Sequence, residues 1–185
     1  MGIFKFIIVG AVVVVVSSCG NDEPVKEVNK EEVAINIRES FITQIKKYEA
    51  DMHKSQELNP AVASSAIQIY GEFAKNFPQD SLTPDFLFKT AEIQTAMQQY
   101  PQSLATYQKI TTGYPNYKLF PESLYLQGYL LDNFLNDDAK AKTIYEEVIA
   151  KYPNLPYAND AKAAINNLGK TDEELIKEFE KKNKK

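Results

Sequence analysis

Three stretches of the chain place apolar and polar residues at helical spacing and end in the same way. In each stretch a small residue stands four positions before a tyrosine, and an apolar residue follows three positions after it. An aromatic residue and a proline then follow at seven and eight positions. The three tyrosines are Tyr70, Tyr107 and Tyr145. Because proline cannot continue the hydrogen bonding of a helix, each stretch predicts a helix that ends before its proline.

The prolines also define a repeat. Pro78, Pro115 and Pro153 stand 37 and 38 residues apart, which is a typical period for arrays of helical hairpins. A second proline follows each of them, and we expect it to be the first residue of the partner helix, where its missing N–H costs nothing. These second prolines are Pro84, Pro121 and Pro156, and Thr83 is the predicted N-cap before the first of them.

Small residues recur where the two helices of a hairpin would face each other. Ala91 lies twelve residues before Ser103, and Gly128 lies thirteen before Ala141. A large side chain at either position would force the helices apart, since protein interiors are close-packed. The pattern therefore predicts antiparallel hairpins with closely approaching helices.

The flanking sequence predicts one further helix at each end. Residues 31–56 form one long amphipathic pattern, whose apolar positions recur every three or four residues: Val33, Ile37, Phe41, Ile45, Tyr48 and Met52. After Gly169, the segment Thr171–Glu174 has the pattern of a capping box, and Leu175, Ile176 and Phe179 follow as one apolar stripe. We expect both helices to cap the array, because the ends of a stack need a polar outer face.

The predicted fold class is all-α, with eight helices and no sheet. We expect residues 31–185 to form one domain, a short right-handed α-solenoid of helical hairpins with flanking capping helices. The pattern of small residue, tyrosine, aromatic residue and proline resembles the tetratricopeptide repeat. More narrowly, it resembles the BamD-like (YfiO-like) family of outer-membrane lipoproteins, over about residues 59–168. That resemblance implies a scaffold for protein partners, among them the machinery that assembles outer-membrane proteins.

The first twenty residues indicate export and lipidation. An uninterrupted apolar run of 11 residues, Phe6 to Val16, is too short to span a bilayer as a helix but suits a signal peptide. The four residues from Val16 to Cys19 resemble the lipobox of bacterial lipoproteins. The resemblance implies a signal peptide over 1–18 and lipidation of Cys19, and the resemblance to the BamD-like family adds an outer-membrane location. The alternative is an ordinary secretory signal cleaved elsewhere. Residues 19–30 are polar and charged without periodicity, and they predict a flexible tether.

Composition excludes several classes of function. The 185 residues carry 21 Lys and Arg against 25 Asp and Glu, and this net charge of -4 argues against a nucleic-acid binder. One His and one Cys are too few for a zinc site or an internal disulfide. His53 has no evident nucleophile beside it and suits a surface position. Asp137 with Asp138 predicts a helix start, and Glu146 with Glu147 a solvated helix face. We therefore predict a non-enzymatic protein without cofactor or metal.

The candidate binding residues lie on the first helix of each hairpin, the side that lines the concave face of such arrays. By helical projection these residues are Phe88, Glu92, Thr95, Tyr125, Tyr129, Asp132 and Tyr157. Aromatic and acidic side chains together suit an extended peptide or a partner helix, because rings contribute contact area and carboxylates select the register. The alternative is a partly buried lining that binds nothing.

Three functions remain open on the sequence. The first is a lipid-anchored envelope scaffold, facing the periplasm and serving outer-membrane protein assembly. The second resembles the envelope coordinators associated with Tol-Pal, with the long first helix used for self-association. The third is a lipoprotein on the cell surface that binds peptide or glycan.

Overall fold

The computed structural model describes residues 29–52, 54 and 57–183, and every regular element within these ranges is an α-helix. Eight helices follow one another, as the sequence predicts. They are α1 (Lys30–Met52), α2 (Pro60–Asn76), α3 (Thr83–Ala96), α4 (Tyr100–Gly113), α5 (Phe120–Asn133), α6 (Asp138–Lys151), α7 (Pro156–Asn167) and α8 (Asp172–Asn183). Residues 1–18, Cys19, most of the tether, and His53 lie outside the described residues.

The helices form a solenoid in which neighbours in sequence are neighbours in space. Each helix from α1 to α6 packs on the next, and α5 also contacts α7. The hydrophobic core is accordingly divided into three clusters along the array, centred on Tyr70, Tyr107 and Tyr145. This arrangement, in which each unit is stabilised by its neighbours, is that of a helical repeat.

The predicted helix ends are confirmed. Each aromatic residue before a proline is the C-cap of its helix, and its backbone N–H donates to the carbonyl four residues earlier. The N–O distances are 2.8 Å for Phe77, 2.9 Å for Tyr114 and 2.9 Å for Tyr152. The tyrosine repeat therefore marks the second helix of each hairpin.

Two predicted helix starts are wrong by one residue. Pro84 and Pro121 are the second residues of α3 and α5, while Pro156 does begin α7. Thr83 is not an N-cap: it lies inside α3, fully buried, and its hydroxyl donates to the carbonyl oxygen of Phe77 at 2.6 Å. The threonine thus closes the turn between two hairpins instead of satisfying the amides of its own helix.

The small residues allow close packing within the hairpins. Ala91 and Ser103 are both fully buried, and the Ser103 hydroxyl donates to the Ala91 carbonyl at 2.8 Å. At Gly128 the close neighbour is the ring of Tyr145, since an added Cβ would lie 2.7 Å from its Cε1 atom. The sequence analysis paired Gly128 with Ala141. The residue that requires the glycine is Tyr145, one helical turn after Ala141.

The first helix packs along only part of its apolar stripe. Four of the six stripe residues, from Phe41 to Met52, contact the cluster around Tyr70 and Phe73. Val33 and Ile37 are 39% and 46% exposed, and Ile35 beside them is 60% exposed. The helix begins one residue earlier than predicted, and its described part ends at Met52.

The last helix has the predicted start, but two of its three apolar stripe residues remain exposed. Thr171 and Glu174 form the capping box: the Thr171 N–H donates to Glu174 Oε2 at 2.9 Å, and the Glu174 N–H donates to Thr171 Oγ1 at 3.3 Å. Ile176 and Phe179 are 58% and 68% exposed. Within the described ranges, no helix combines the length and apolarity needed to cross a bilayer.

Candidate functional site

The candidate site is the surface formed by α3, α5 and α7, which we call the concave surface because first helices line the inner side of such arrays. The proline repeat places equivalent residues side by side on it. Asp85 and Glu122 follow Pro84 and Pro121 directly, and Tyr157 follows Pro156. The surface is defined by the following residues: Asp85, Glu92, Glu122, Tyr125, Tyr129, Tyr157 and Asp160.

Three half-buried tyrosines form its aromatic part. The ring of Tyr125 stacks on that of Tyr157, with centroids 5.6 Å apart, and lies 5.8 Å from the ring of Tyr145. Tyr129 meets Phe134 edge to face at 5.7 Å. Each ring is therefore supported by another ring while part of it remains accessible, as an aromatic contact for a partner requires.

Carboxylates surround these rings. Partial desolvation raises the pKa of Glu92, and the nearby Glu122 carboxylate raises it further, while Lys89 opposes the effect. Burial, followed by a hydrogen bond to Glu122 and the charge of Asp160, raises the pKa of Tyr157 to about 12. Burial and then Asp160 also raise the pKa of Tyr125. These mutual effects show that the acidic groups of α3, α5 and α7 share one electrostatic environment.

The structure separates the seven predicted residues. Glu92 is exposed, and Tyr125, Tyr129 and Tyr157 are half-buried on the concave surface. Phe88 is only 6% exposed and belongs to the core around Tyr107, so its predicted place on the open surface is wrong. Its ring instead packs edge to face on Tyr107 at 5.5 Å.

Two of the predicted polar residues have partners inside the array. The Thr95 hydroxyl donates to the Ala91 carbonyl at 2.9 Å and lies 2.7 Å from the Ser103 hydroxyl, between α3 and α4. Asp132 accepts a hydrogen bond from the Tyr145 hydroxyl at 3.2 Å. Burial raises the pKa of Asp132, because desolvation of the carboxylate exceeds the effect of that hydrogen bond. Both residues mainly connect the helices of a hairpin.

Glu122 and Asp160 were missed by the sequence analysis. Glu122 is the counterpart of Asp85 in the next repeat, and Asp160 is the counterpart of Tyr125. Aligning the repeats position by position, instead of projecting each helix separately, would have found both residues.

Tyr107 differs from the other two repeat tyrosines. The Tyr70 hydroxyl donates to Glu49 at 2.9 Å, and the Tyr145 hydroxyl donates to Asp132. Tyr107 is only 2% exposed, and the carboxylates near it act on its pKa through their charge and not through a hydrogen bond. Burial raises its pKa, and the charges of Glu92 and Glu122 raise it further, so the hydroxyl lies within electrostatic range of both carboxylates.

The other acidic pairs have structural roles. Asp137 is the N-cap of α6 and accepts from the Lys140 N–H at 3.2 Å, and the Glu146–Glu147 pair lies on the solvated side of α6, where Glu147 binds Lys151. Among the described residues, no group of three or more His, Cys, Asp and Glu side chains is placed to hold a metal ion.

Comparison with known families agrees with this fold. The tetratricopeptide repeat model matches residues 85–117 and residues 122–155, which are α3 with α4 and α5 with α6. Residues 85–155 thus contain two segments similar to tetratricopeptide repeats, which suggest a scaffold for protein–protein interaction. No curated protein matches the chain.

Proposed function

We propose that this protein is a lipid-anchored scaffold of the cell envelope that holds a protein partner on its concave surface. The observation that carries the proposal is the row of accessible, ring-supported tyrosines among carboxylates across α3, α5 and α7. Tyrosine contributes much contact area with few rotatable bonds, and carboxylates discriminate between partners by charge. Tetratricopeptide repeats are typically non-catalytic, which agrees with this role.

The proposed anchor is a diacylglyceryl group on Cys19, placed at the outer membrane and facing the periplasm. The sequence around Cys19 supports it, since the only cysteine of the chain stands where a lipobox requires one. The sequence likeness to the BamD-like family supports a partner from the machinery that assembles outer-membrane proteins. A display on the outer side of the membrane is the alternative topology, and protease treatment of intact cells distinguishes the two.

The concave surface is tested by capture of partners from membranes after mild crosslinking. Tyr125→Ala combined with Tyr129→Ala should reduce the captured partner several-fold, because two anchor rings are lost. Gln108→Ala with Lys109→Ala, two exposed positions on α4, is the matched control. Unchanged capture by the tyrosine variant, with its thermal unfolding still cooperative, would place the partner elsewhere.

The anchor is tested by labelling cells with an alkyne analogue of palmitate. The wild-type protein should be labelled and partition into detergent, whereas Cys19→Ser should lose both properties, because several acyl chains are needed for stable anchoring. Labelling of the Cys19→Ser variant, or an unlabelled wild type, would contradict lipidation at this residue.

A second candidate function is self-association through α1, as in the envelope coordinators associated with Tol-Pal. The exposed Val33, Ile35 and Ile37 favour it, since they extend the helix beyond its contact with α2. Light scattering on the purified protein should then give the mass of a dimer, and Val33→Asp with Ile37→Asp should give a monomer. A wild-type monomer at roughly 100 µM, a concentration that populates even weak dimers, would remove this candidate.

A further inference from the structure

Helices α2 and α4 leave an open, mainly apolar groove of about 650 Å³ between their C-terminal halves, which we call the α2–α4 groove. The residues that shape it are Gly71, Ala74, Lys75, Ala105, Lys109 and Gly113. A Cβ added at Gly71 or Gly113 would meet no atom within 4 Å, and neither glycine has a positive φ. No contact or turn among the described residues therefore explains these two glycines, although both keep the groove open.

The open groove is specific to the first two hairpins. Counted from the repeat tyrosine, Gly71 corresponds to Gln108 in the next repeat and to Glu146 in the third. Gly113 corresponds to Lys151 in the third repeat. Glycine is unfavourable inside a helix, so two glycines that face one groove indicate that something outside the fold uses the space.

Two lysines border the groove and remain available for a partner. Lys75 on α2 and Lys109 on α4 are exposed, and neither forms an ion pair within the described part of the chain. The position of Lys109 carries a glutamate in both other repeats, Glu72 and Glu147. An apolar groove with unpaired positive charges at its edges fits an occupant that is both apolar and acidic.

The first two turns of α1, residues 30–37, have this composition, and we call them the α1 tip. Its exposed apolar residues are Val33, Ile35 and Ile37. Glu31 and Glu32 stand in its first turn, and neither forms an ion pair with any residue that the structure describes. Val33 and Ile37 are one turn apart, whereas Ile35 lies on the other side of the helix. Apolar residues on opposite sides favour a groove, because a groove contacts a helix from both sides.

The α1 tip is anchored, and it lies at the same end of the array as the groove. Asn29 Oδ1 accepts from the Glu31 N–H at 3.0 Å, which caps the start of the helix. Arg38 Nε donates to Asp80 Oδ2 at 2.6 Å and joins the base of the tip to the turn after α2. Lys75 belongs to the last turn of α2, directly before that turn. A short distance therefore separates the projecting helix from the groove that would receive a second copy.

We propose that the α1 tip of one copy docks in the α2–α4 groove of a second copy, and that the exchange is reciprocal. The apolar residues of the tip would fill the space left by the two glycines, while Glu31 and Glu32 face Lys75 and Lys109. Because each copy donates one tip and accepts another, the contact occurs twice and closes as a dimer. The inference rests on the self-association described above as the second candidate function, and it adds the surface that receives α1.

The experiment measures the dissociation constant of the dimer by sedimentation of the full chain in a density-matched detergent. E31K with E32K should weaken the dimer about tenfold or more, because the tip then repels the lysines of the groove, and K75E with K109E should do the same. The matched control is K46E with K47E, two exposed lysines on the packed part of α1, which should change it less than about twofold.

Mixing the two charge variants tests whether the contact passes between copies. In the mixture each lysine tip meets a glutamate groove and each glutamate tip meets a lysine groove, so a heterodimer should form about as tightly as the wild-type dimer. E31K with E32K mixed with the K46E and K47E variant has the same net charges, but it leaves one of the two contacts mismatched. This second mixture should therefore stay weaker than the first.

Filling the groove tests its shape independently of charge. Gly71→Gln introduces the residue type found at the equivalent position of the next repeat, Gln108. It should weaken the dimer about tenfold or more, because its side chain occupies the space of the tip. Thermal unfolding should remain cooperative, since that space is open in the single copy.

The outcomes separate the groove from self-association. A wild-type monomer at roughly 100 µM would refute both, and concave docking would be unaffected. If Val33→Asp with Ile37→Asp dissociates the dimer while the charge variants and Gly71→Gln leave it unchanged, the groove is refuted and self-association through α1 stands. A first mixture that binds no more tightly than the second, or a K46E and K47E variant as weak as the others, also refutes the groove.

Discussion

At the scale of single residues, the three repeat tyrosines differ in their hydrogen bonding although their spacing in the sequence is the same. All three rings fill the core, but only Tyr70 and Tyr145 also connect two helices through a hydrogen bond to a carboxylate. The contribution of the hydroxyl can therefore be measured separately from that of the ring.

Tyr145→Phe and Tyr70→Phe should each lower the free energy of unfolding by about 1 kcal/mol, because each removes a hydrogen bond to a carboxylate. Tyr107→Phe should lower it by less, by about 0.5 kcal/mol at most, because no carboxylate accepts a hydrogen bond from this hydroxyl. Urea unfolding followed by circular dichroism is the measurement. A similar loss in all three variants would show that the hydrogen bond to a carboxylate is not what distinguishes Tyr70 and Tyr145 from Tyr107.

The glycines offer a second contrast at this scale. Gly128→Ala should destabilise the protein by about 1–3 kcal/mol, because the new Cβ would lie 2.7 Å from Tyr145 and force the ring to move. Gly71→Ala should instead stabilise it by up to about 1 kcal/mol, since nothing lies within 4 Å of that Cβ and alanine favours the helix. Thermal unfolding of both variants tests the pair, and a stabilising Gly128→Ala would refute the predicted clash.

At the scale of elements, α1 is fixed to the array by an ion pair at the end of its packed region. Arg38 donates through Nε to Asp80 at 2.6 Å and through Nη2 at 3.3 Å, and Asp80 also accepts from the Leu82 N–H. The Arg38 guanidinium, as the main cause, lowers the pKa of Asp80 below its ordinary value. Asp80 therefore stabilises the fold in its charged form.

The pH dependence of this contact has a definite sign. Because the pKa of Asp80 is lower in the folded state, its contribution is fully present above the unfolded pKa near 3.8 and is lost as the pH falls through the folded value. Asp80→Asn should cost about 1 kcal/mol at pH 7, and this difference from the wild type should shrink below about pH 4.

The control is Asp51→Asn, which removes the ion pair between Asp51, near the end of α1, and the exposed Lys54, and it should have a much smaller effect. Urea unfolding at several pH values gives both curves. A difference for Asp80→Asn that persists undiminished at low pH would show that the side chain acts through its shape and not its charge.

At the scale of the whole molecule, the buried apolar residues lie along the middle of the array, and exposed apolar residues lie at its two ends. The three hydrophobic clusters run from α1 to α7, whereas Ile176 and Phe179 of α8 and the apolar residues in the first turns of α1 face solvent. Exposed apolar side chains at both ends are compatible with contacts to other molecules, and they contribute little to folding of the monomer.

Ile176→Ala with Phe179→Ala should accordingly change the free energy of unfolding by less than about 0.5 kcal/mol. Phe73→Ala, which empties a fully buried site next to α1, should cost about 3–5 kcal/mol. Calorimetry of the two variants compares the loss of stability in the hydrophobic core with the loss at the C-terminal helix α8. A loss above about 2 kcal/mol for the α8 variant would mean that α8 is packed against the array in solution.

The sequence by itself determined the helices, their order and where they end, because proline, aromatic and small residues act locally at each helix terminus. It also selected the side of the array that carries Tyr125, Tyr129 and Tyr157. Only the tertiary structure decided which side chains remain accessible on that side, since burial depends on two helices at once: Phe88 is covered by Tyr107 and Thr95 is engaged by Ser103. The same is true of Gly128, whose need for space arises from the Tyr145 ring. The hydrogen bonds of Tyr70 and Tyr145 to a carboxylate could not be inferred from spacing either, because three equivalent positions differ in the neighbour that each tyrosine meets.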